Sequence, residues 1–214
     1  SMILENRLAA VMGGKMAVGG LRAGVEPFIE QLAAPTAAPG GGSAAAATGA
    51  MAAALGAMVA GMSRGKKNYL QYETQLSEVL AELATLREEL KAAVDADAES
   101  YRSVVAAYKA AKTSTDGDAL ISAALKQAIE VPLSVVEKSK RVEAIVEQLR
   151  PITNPKMASD LTSATALANA AVYSALANVA INLEGMTDQP FEDGVCARLA
   201  KAGIDFHRAP SPAS

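Results

Sequence analysis

The side chains best suited to chemistry here are two lysines, two aspartates and a few amides. Lys66 and Lys67 close a Gly-Lys-Lys corner, Asp97 interrupts a run of apolar spacing, and Asp160 opens an apolar stretch flanked by Asn154 and containing Asn178. Gly41, Gly42 and Ser43 end a Pro-Gly-Gly-Gly-Ser turn, where backbone N–H groups stand open to a ligand. Such a set can move protons and stabilise developing charge. It does not suit the commoner alternatives. One cysteine, Cys196, and one histidine, His207, give neither an intrachain disulfide nor the usual zinc spacings. A lone histidine near the C-terminus is a poor base for a nucleophile triad. The GMSRGKK run, Gly61 to Lys67, has one residue too few between its glycines for a phosphate loop and no Ser or Thr after the lysine. No strand-turn-helix carries a GxGxxG dinucleotide signature. The expected site is therefore metal-free and without a separate cofactor.

These residues must be held by helices. The Pro39–Ser43 turn opens a nearly uncharged segment, Ala44 to Met62, and the Arg64–Lys67 corner closes it, a loop-helix-loop order with Ser43 or a glycine just before it as N-cap. About 20 apolar residues would cross a bilayer. This segment is mostly Ala and Gly, however, and Gly49, Ala53, Gly56 and Ala60 let a neighbouring helix approach closely. It is expected to be the central helix of a bundle, buried all round, with no membrane span. From Tyr69 to Lys112 there is no Gly or Pro, and apolar residues from Leu76 through Leu90 to Tyr101, Val104 and Tyr108 follow helical steps. Asp97 fills a gap in that stripe, within about 20° of the line through Leu90 and Tyr108, so it points inward while Asp95 and Glu99 point away. A lone inward carboxylate either takes a structural partner inside the bundle or belongs to an active site. Lys66 and Lys67 are likewise either a solvated helix end or part of a site.

After a turn at Thr113–Asp118, a helix from Ala119 to Leu149 carries Pro132, expected to kink or split it. Arg150-Pro151 and Asn154-Pro155 separate it from a long helix, Met157 to Leu183, with Asp160 in its first turn as a capping residue. Asp160 and Asn178 lie about 27 Å apart on that helix and cannot both touch one reacting carbon. They serve opposite ends of a long ligand, or sites on different subunits, or one of them is structural. A last helix spans Phe191 to Ala202. The expected fold is all-α: a single-domain antiparallel bundle of five to six helices over residues 25–205, with an N-terminal arm at 1–24 and a flexible tail at 206–214. Half of the 214 residues are hydrophobic, enough for a sizeable core, and a net charge of -3 disfavours nucleic acid and anionic membranes as partners. Small-residue helix surface in excess of what one bundle covers points to a homodimer with the 44–62 face in or beside the interface. The single reduced thiol suits the cytoplasm.

PGGGS, the Ala/Gly/Met-rich helix and GKKxY together resemble the cyclodeaminase/cyclohydrolase family. So do EVPLSVVEKSKRV at Glu130 to Val142, NPKMASD at Asn154 to Asp160 and ANVAINLEGM ending at Met186. That family is found as the C-terminal half of formiminotransferase-cyclodeaminase and as stand-alone methenyltetrahydrofolate cyclohydrolase. The resemblance implies a folate one-carbon enzyme that hydrolyses 5,10-methenyltetrahydrofolate to 10-formyltetrahydrofolate. Alternatives are a cyclodeaminase releasing ammonia from formiminotetrahydrofolate, a relative acting on another amidine or imine, and a helical oligomer that binds folate without turnover. It further implies Asp97 as general base or cation-stabilising carboxylate and Lys67 as acid or anion contact. Gly41, Gly42, Ser43 and Lys66 would contact the ligand, Asp160 would bind pterin N–H groups, and Asn154 and Asn178 would add further contacts. The chain departs from the family pattern at Asn68, where a third lysine is common, and at Leu161-Thr162-Ser163, where an Ala-Gly-Val type run is usual.

Overall fold

The computed structural model describes residues 20–206, so most of the expected N-terminal arm and the tail with His207 lie outside the described residues. Among the described residues there are six α-helices and no strand. The chain divides into two compact units, residues 1–37 and 38–214. In the first, helix α1, Gly20–Ala33, starts before the expected Val25 and continues through Pro27, and none of its residues is buried.

The second unit holds α2 (Gly41–Ser63), α3 (Glu73–Ala111), α4 (Gly117–Leu149), α5 (Ala158–Glu184) and α6 (Gln189–Lys201). Helix α2 packs against α3, α4 and α5, and α4 packs against α3 and α5. Glycines set how closely it does so. A Cβ added at Gly56 would meet Leu83, one at Gly49 would meet Leu90, and one at Gly42 would meet Asp97. The partners run downward in seven-residue steps as the glycines run upward, so α2 and α3 are antiparallel with a repeating register. Against α4 the same glycines meet Ser139 and Val146, which rise together with them, so α2 and α4 are parallel. Leu83 and Leu90 are wholly buried in the seam, each contributing about 2 kcal/mol.

The ladder also sets where the seam ends. Helix α3 has 39 residues and α2 only 23. Beyond Asp97, α3 therefore runs on past the start of α2, and the inward stripe expected to continue there emerges into the open: Tyr101 and Tyr108 are 46% and 49% exposed.

Helix α4 is not split at Pro132, which is buried within it. Proline has no N–H to donate to the carbonyl of Ala128 one turn earlier. The side-chain amide of Asn182 on α5 donates to that carbonyl instead, at 2.8 Å, which assigns Asn182 a structural task. Ion pairs dress the outer faces of α3, α4 and α6: Arg141 grips Glu82 at 2.5 and 2.7 Å, and Arg198 is held between Glu130 and Glu137.

The expected all-round burial of α2 is not achieved within the chain, because three neighbours cover only three sides. Met51, Met58 and Met62 stand 49%, 40% and 57% exposed along the fourth. By length and composition alone, Gly41–Ser63, Gly117–Ile152 and Pro155–Glu184 are each long and apolar enough to cross a membrane. In this unit their apolar faces pack on one another and on the ion-paired α3.

Candidate active site

The first turn of α2 is where most of the candidate residues meet. Gly40 is its N-cap in extended conformation, without a side-chain cap; of the two expected caps, Ser43 or a glycine just before it, the glycine holds the position, and the helix opens a turn before Ala44. The Ser43 hydroxyl, fully buried, lies 2.9 Å from Asp97 Oδ2 and 2.9 Å from the carbonyl oxygen of Val94. One hydroxyl hydrogen serves one of these acceptors at a time, so Asp97 holds a partner it can lose without being buried bare. A Cβ at Gly42 would fall 2.6 Å from the Asp97 Cγ and closer still to Oδ1. Only glycine lets the carboxyl group lie this close to the helix start. No lysine or arginine pairs with Asp97 among the described residues. The first-turn N–H groups of Gly41, Gly42 and Ser43 have no carbonyl one turn below to accept from them, and their positive end of the helix dipole favours an anion beside it.

From α5, Asn178 reaches the same turn. Its Nδ2 donates to the Ser174 carbonyl at 2.8 Å and lies 3.3 Å from where a Gly41 Cβ would be. The Ser174 hydroxyl donates to the Gly41 carbonyl at 3.3 Å. Ser174 was not singled out from the sequence; its position one turn before Asn178 was the available signal.

Lys66, Lys67 and Asn154 gather at the opposite end of α2. They line a cleft of about 510 Å³ together with Met62, Tyr69 and Lys156. Asn154 Oδ1 accepts from the Lys156 N–H at 3.1 Å, and its own N–H donates to the buried Ser63 hydroxyl at 3.2 Å, which ties this corner to the end of α2. Gly65, at φ +70, makes the left-handed turn that lets the chain leave the helix. Lys66, Lys67 and Lys156 make no ion pair among the described residues, whereas the nearby Arg64 is engaged with Glu73 at 3.4 Å. Lys156 is the third cation of the cleft, and its place two residues after Asn154 is its one sign in the sequence. Asp160, in the first turn of α5, makes no capping bond and is not part of the cleft lining. Nor do Leu161, Thr162 and Ser163 line it. Leu161 is core, and the two hydroxyls donate to carbonyls one turn below.

The candidates thus form two groups. Asp97, Gly41, Gly42, Ser43 and Asn178 share one end; Lys66, Lys67 and Asn154 share the other. At about 1.5 Å per residue along α2, these ends are about 30 Å apart, so Asp97 and Lys67 do not meet within one chain. A groove of about 630 Å³ between α4 and α6 has less to offer a ligand, since Lys140, Arg141 and Arg198 in its lining are already engaged: Lys140 with Glu143, Arg141 with Glu82, and Arg198 with Glu137, whose carboxyl it holds below the ordinary carboxylate range. Among the described residues no group of His, Cys, Asp and Glu is arranged to hold a metal ion.

Three comparisons bear on what this arrangement does. The sequence profile described as formiminotransferase-cyclodeaminase matches residues 24–201. A methenyltetrahydrofolate cyclohydrolase from Methylorubrum extorquens is 35% identical over 173 residues, covering 79% of this chain and 83% of the relative. A formimidoyltransferase-cyclodeaminase from Gallus gallus is 33% identical over 169 residues, covering 77% of this chain; the match spans only 31% of that longer protein. Among solved structures, the formiminotetrahydrofolate cyclodeaminase of Thermotoga maritima superposes with a TM-score of 0.78 at 30% identity, covering 84% of this chain and 87% of that one.

Proposed function

The chain belongs to the formiminotransferase-cyclodeaminase family, and from that premise we propose that it hydrolyses 5,10-methenyltetrahydrofolate to 10-formyltetrahydrofolate. The observation that carries the reading is the Asp97 carboxyl group, seated against Gly42 at the start of α2 and held by Ser43. The substrate is a cation, an amidinium spanning N5 and N10, and an unpaired carboxylate is the group to stabilise it. In the proposed reaction a water oxygen bonds to the amidinium carbon and Asp97 takes the proton that water gives up. In the tetrahedral carbinolamine that results, the bond from carbon to N5 breaks, N5 acquires the hydroxyl proton, and the carbon becomes the formyl group on N10. One proton is released overall. Lys67, with Lys66, acts as the acid or as the contact to the substrate's oxygen or carboxylates. Asn154 and Asn178 add contacts, and Asp160 would meet pterin N–H groups. The folate is substrate, with no separate cofactor in the scheme. A homodimer and a cytoplasmic location belong to the same proposal.

A cyclodeaminase activity is the second reading, supported by the similarity to the Thermotoga maritima protein over nearly its whole length. There N10 would attack the formimino carbon and ammonia would leave, using the same carboxylate. The test is loss of the amidinium absorbance of methenyltetrahydrofolate near neutral pH, measured against the buffer rate, alongside ammonia release from formiminotetrahydrofolate. Wild type should exceed the blank in one of the two assays, and Asp97→Asn, which keeps the shape, should fall about a hundredfold with its melting temperature little changed. Wild type at the blank rate in both would leave the folate-binding oligomer or a different amidine substrate in its place.

A further inference from the structure

Helices α3 and α5 stand on either side of α2, and both lean on α4. At Gly41 helix α2 stops, but its neighbours do not. From Asp97 helix α3 runs on to Ala111, about 21 Å, and from Asn178 helix α5 runs on to Glu184, about 9 Å. The groove that α2 fills therefore continues past its first turn as a trough, walled by α3 and α5 and floored by α4. The faces that meet the start of α2 also line its walls. On α3, Tyr101 lies one turn beyond Asp97 and within about 40° of its bearing, and Tyr108 within about 20°. On α5, Ile181 keeps to within about 20° of Ser174, whose hydroxyl meets Gly41. In the register that sets Gly49 against Ser139, Leu125 on α4 falls about 10 Å past Gly42 and forms the floor. Tyr101 is 46% exposed and Ile181 59%, while Val104, between the two tyrosines, packs on the core. The charged residues of this stretch of α3, Glu99, Arg102 and Lys109, point away from the trough by more than about 100°, and Glu99 pairs with Arg102.

We propose, on the folate reading above, that this trough seats the aromatic ring carried by N10 of the substrate, with Tyr101 stacked on one face of the ring and Ile181 against the other. Three features favour that occupant. The ring is joined directly to N10, so an amidinium held at Asp97 leaves it a short step away, and Tyr101 stands about 6 Å along α3 from Asp97. The ring is also conjugated to a cation and poor in electrons, while the face of a tyrosine carries the negative lobe of its quadrupole. The pterin, by contrast, is crowded with N–H and C=O groups that would go unpaired against Tyr101, Val104 and Ile181. The benzoyl ring has no polar group between N10 and its para carbonyl, and loses nothing there. Such a trough selects amidines that bear an aryl group on the nitrogen beside Tyr101 over those that bear only alkyl groups.

In steady-state turnover of 5,10-methenyltetrahydrofolate, Tyr101→Ala should raise KM about tenfold and leave kcat within about twofold, because the ring sits alike in ground and transition state. Tyr101→Phe, which keeps the aromatic face, should match wild type. Tyr108→Ala is the control: exposed to the same degree on the same stripe but about 10 Å farther from Asp97, it should leave KM unchanged. Independently of turnover, Tyr101→Trp places the chain's one tryptophan in the trough. Its emission should be quenched saturably by millimolar p-aminobenzoylglutamate, which carries the ring without the pterin and absorbs at wavelengths too short to quench by energy transfer. An unchanged KM in Tyr101→Ala, an equal rise in Tyr108→Ala, failure of Tyr101→Phe to hold the wild-type KM, or absence of quenching would each overturn the proposal. Wild type inactive on both folates, with p-aminobenzoylglutamate still quenching Tyr101→Trp, would overturn the folate reaction and leave the ring subsite standing.

Discussion

Replacing Gly42 by alanine separates the site from the scaffold by a single methyl group. The added Cβ would sit 2.6 Å from the Asp97 Cγ and 2.9 Å from Oδ2, well inside van der Waals contact, so the carboxylate must turn away and lose the Ser43 hydroxyl. Three stability effects partly offset each other. Alanine gains up to about 1 kcal/mol over glycine in a helix, overpacking costs about 1–3 kcal/mol, and the lost hydrogen bond costs about 1 kcal/mol. The net loss should stay within about 3 kcal/mol, and less if Asp97 rotates freely toward the solvent. Catalysis has no such compensation. If Asp97 takes the water proton, its displacement should lower kcat/KM about a hundredfold, equivalent to about 2.7 kcal/mol in the barrier. Gly49→Ala is the matched control, one rung down the same ladder. Its Cβ would meet the Ser139 Oγ at 2.7 Å and Leu90 at 3.3 Å, deep in the core, so it should lower the melting temperature while the folded fraction keeps kcat within a few-fold. The assay is steady-state turnover of methenyltetrahydrofolate with thermal unfolding of both variants. Full activity in Gly42→Ala, or activity losses in both variants that merely track unfolding, would refute the assignment of Asp97.

Ser139 is wholly buried and its hydroxyl has no partner among the described residues, so Ser139→Ala should stabilise the chain by about 1 kcal/mol, read as a rise in melting temperature. Asn182→Ala should cost about 1–3 kcal/mol by leaving the Ala128 carbonyl unpaired. Pro132→Ala, which restores a backbone donor to that carbonyl, should make the same Asn182 substitution much less harmful; an additive double-mutant cycle in urea unfolding would contradict this. Glu137 is held below the ordinary carboxylate range first by its hydrogen bond to Arg198. Its contribution is therefore present above the unfolded-state pKa of about 4.3 and lost as pH falls through the lower folded value. The stability gap between wild type and Glu137→Gln, at most about 1 kcal/mol for so exposed a pair, should close on acidification and not on raising the pH.

Much of this is legible in the sequence. Angular arithmetic at 100° per residue aimed Asp97 inward because Leu76 to Leu90 already defined the buried direction, and the small residues Gly49 and Gly56 announced a close helix contact. Less visible was the consequence of unequal lengths. Tyr101 and Tyr108 carry the same spacing as Leu83 and Leu90, but α2 has ended where they begin, and periodicity reports direction without reporting whether a neighbour is present. Pro132 looked like a break because its remedy, Asn182, lies 54 residues away from the carbonyl it serves. Residue type alone left the cap of α2 open between Ser43 and a preceding glycine; the half-buried Asp97 carboxylate engages the Ser43 hydroxyl, and Gly40 takes the cap position. The division of the candidates between two ends of α2 needed the antiparallel path of the chain, which spacing within separate helices does not contain.

The ladder of glycines has a consequence for which changes of length this protein tolerates. Its lower rungs, Gly56 with Leu83 and Gly49 with Leu90, are apolar and keep the helices mated whatever happens above them. One residue inserted in α3 between Leu90 and Asp97 would swing the carboxylate by about 100° away from α2 and leave those rungs untouched, giving a folded chain with a dead site. Seven inserted residues would return Asp97 to nearly its original bearing but carry it about 10 Å beyond the start of α2, out of reach of Ser43. The interval between Leu90 and Asp97 is therefore closed to insertion and deletion, whereas the overhang from Tyr101 to Ala111 meets no rung of α2 and answers instead to α4, whose buried first residue, Gly117, closes on Ala111.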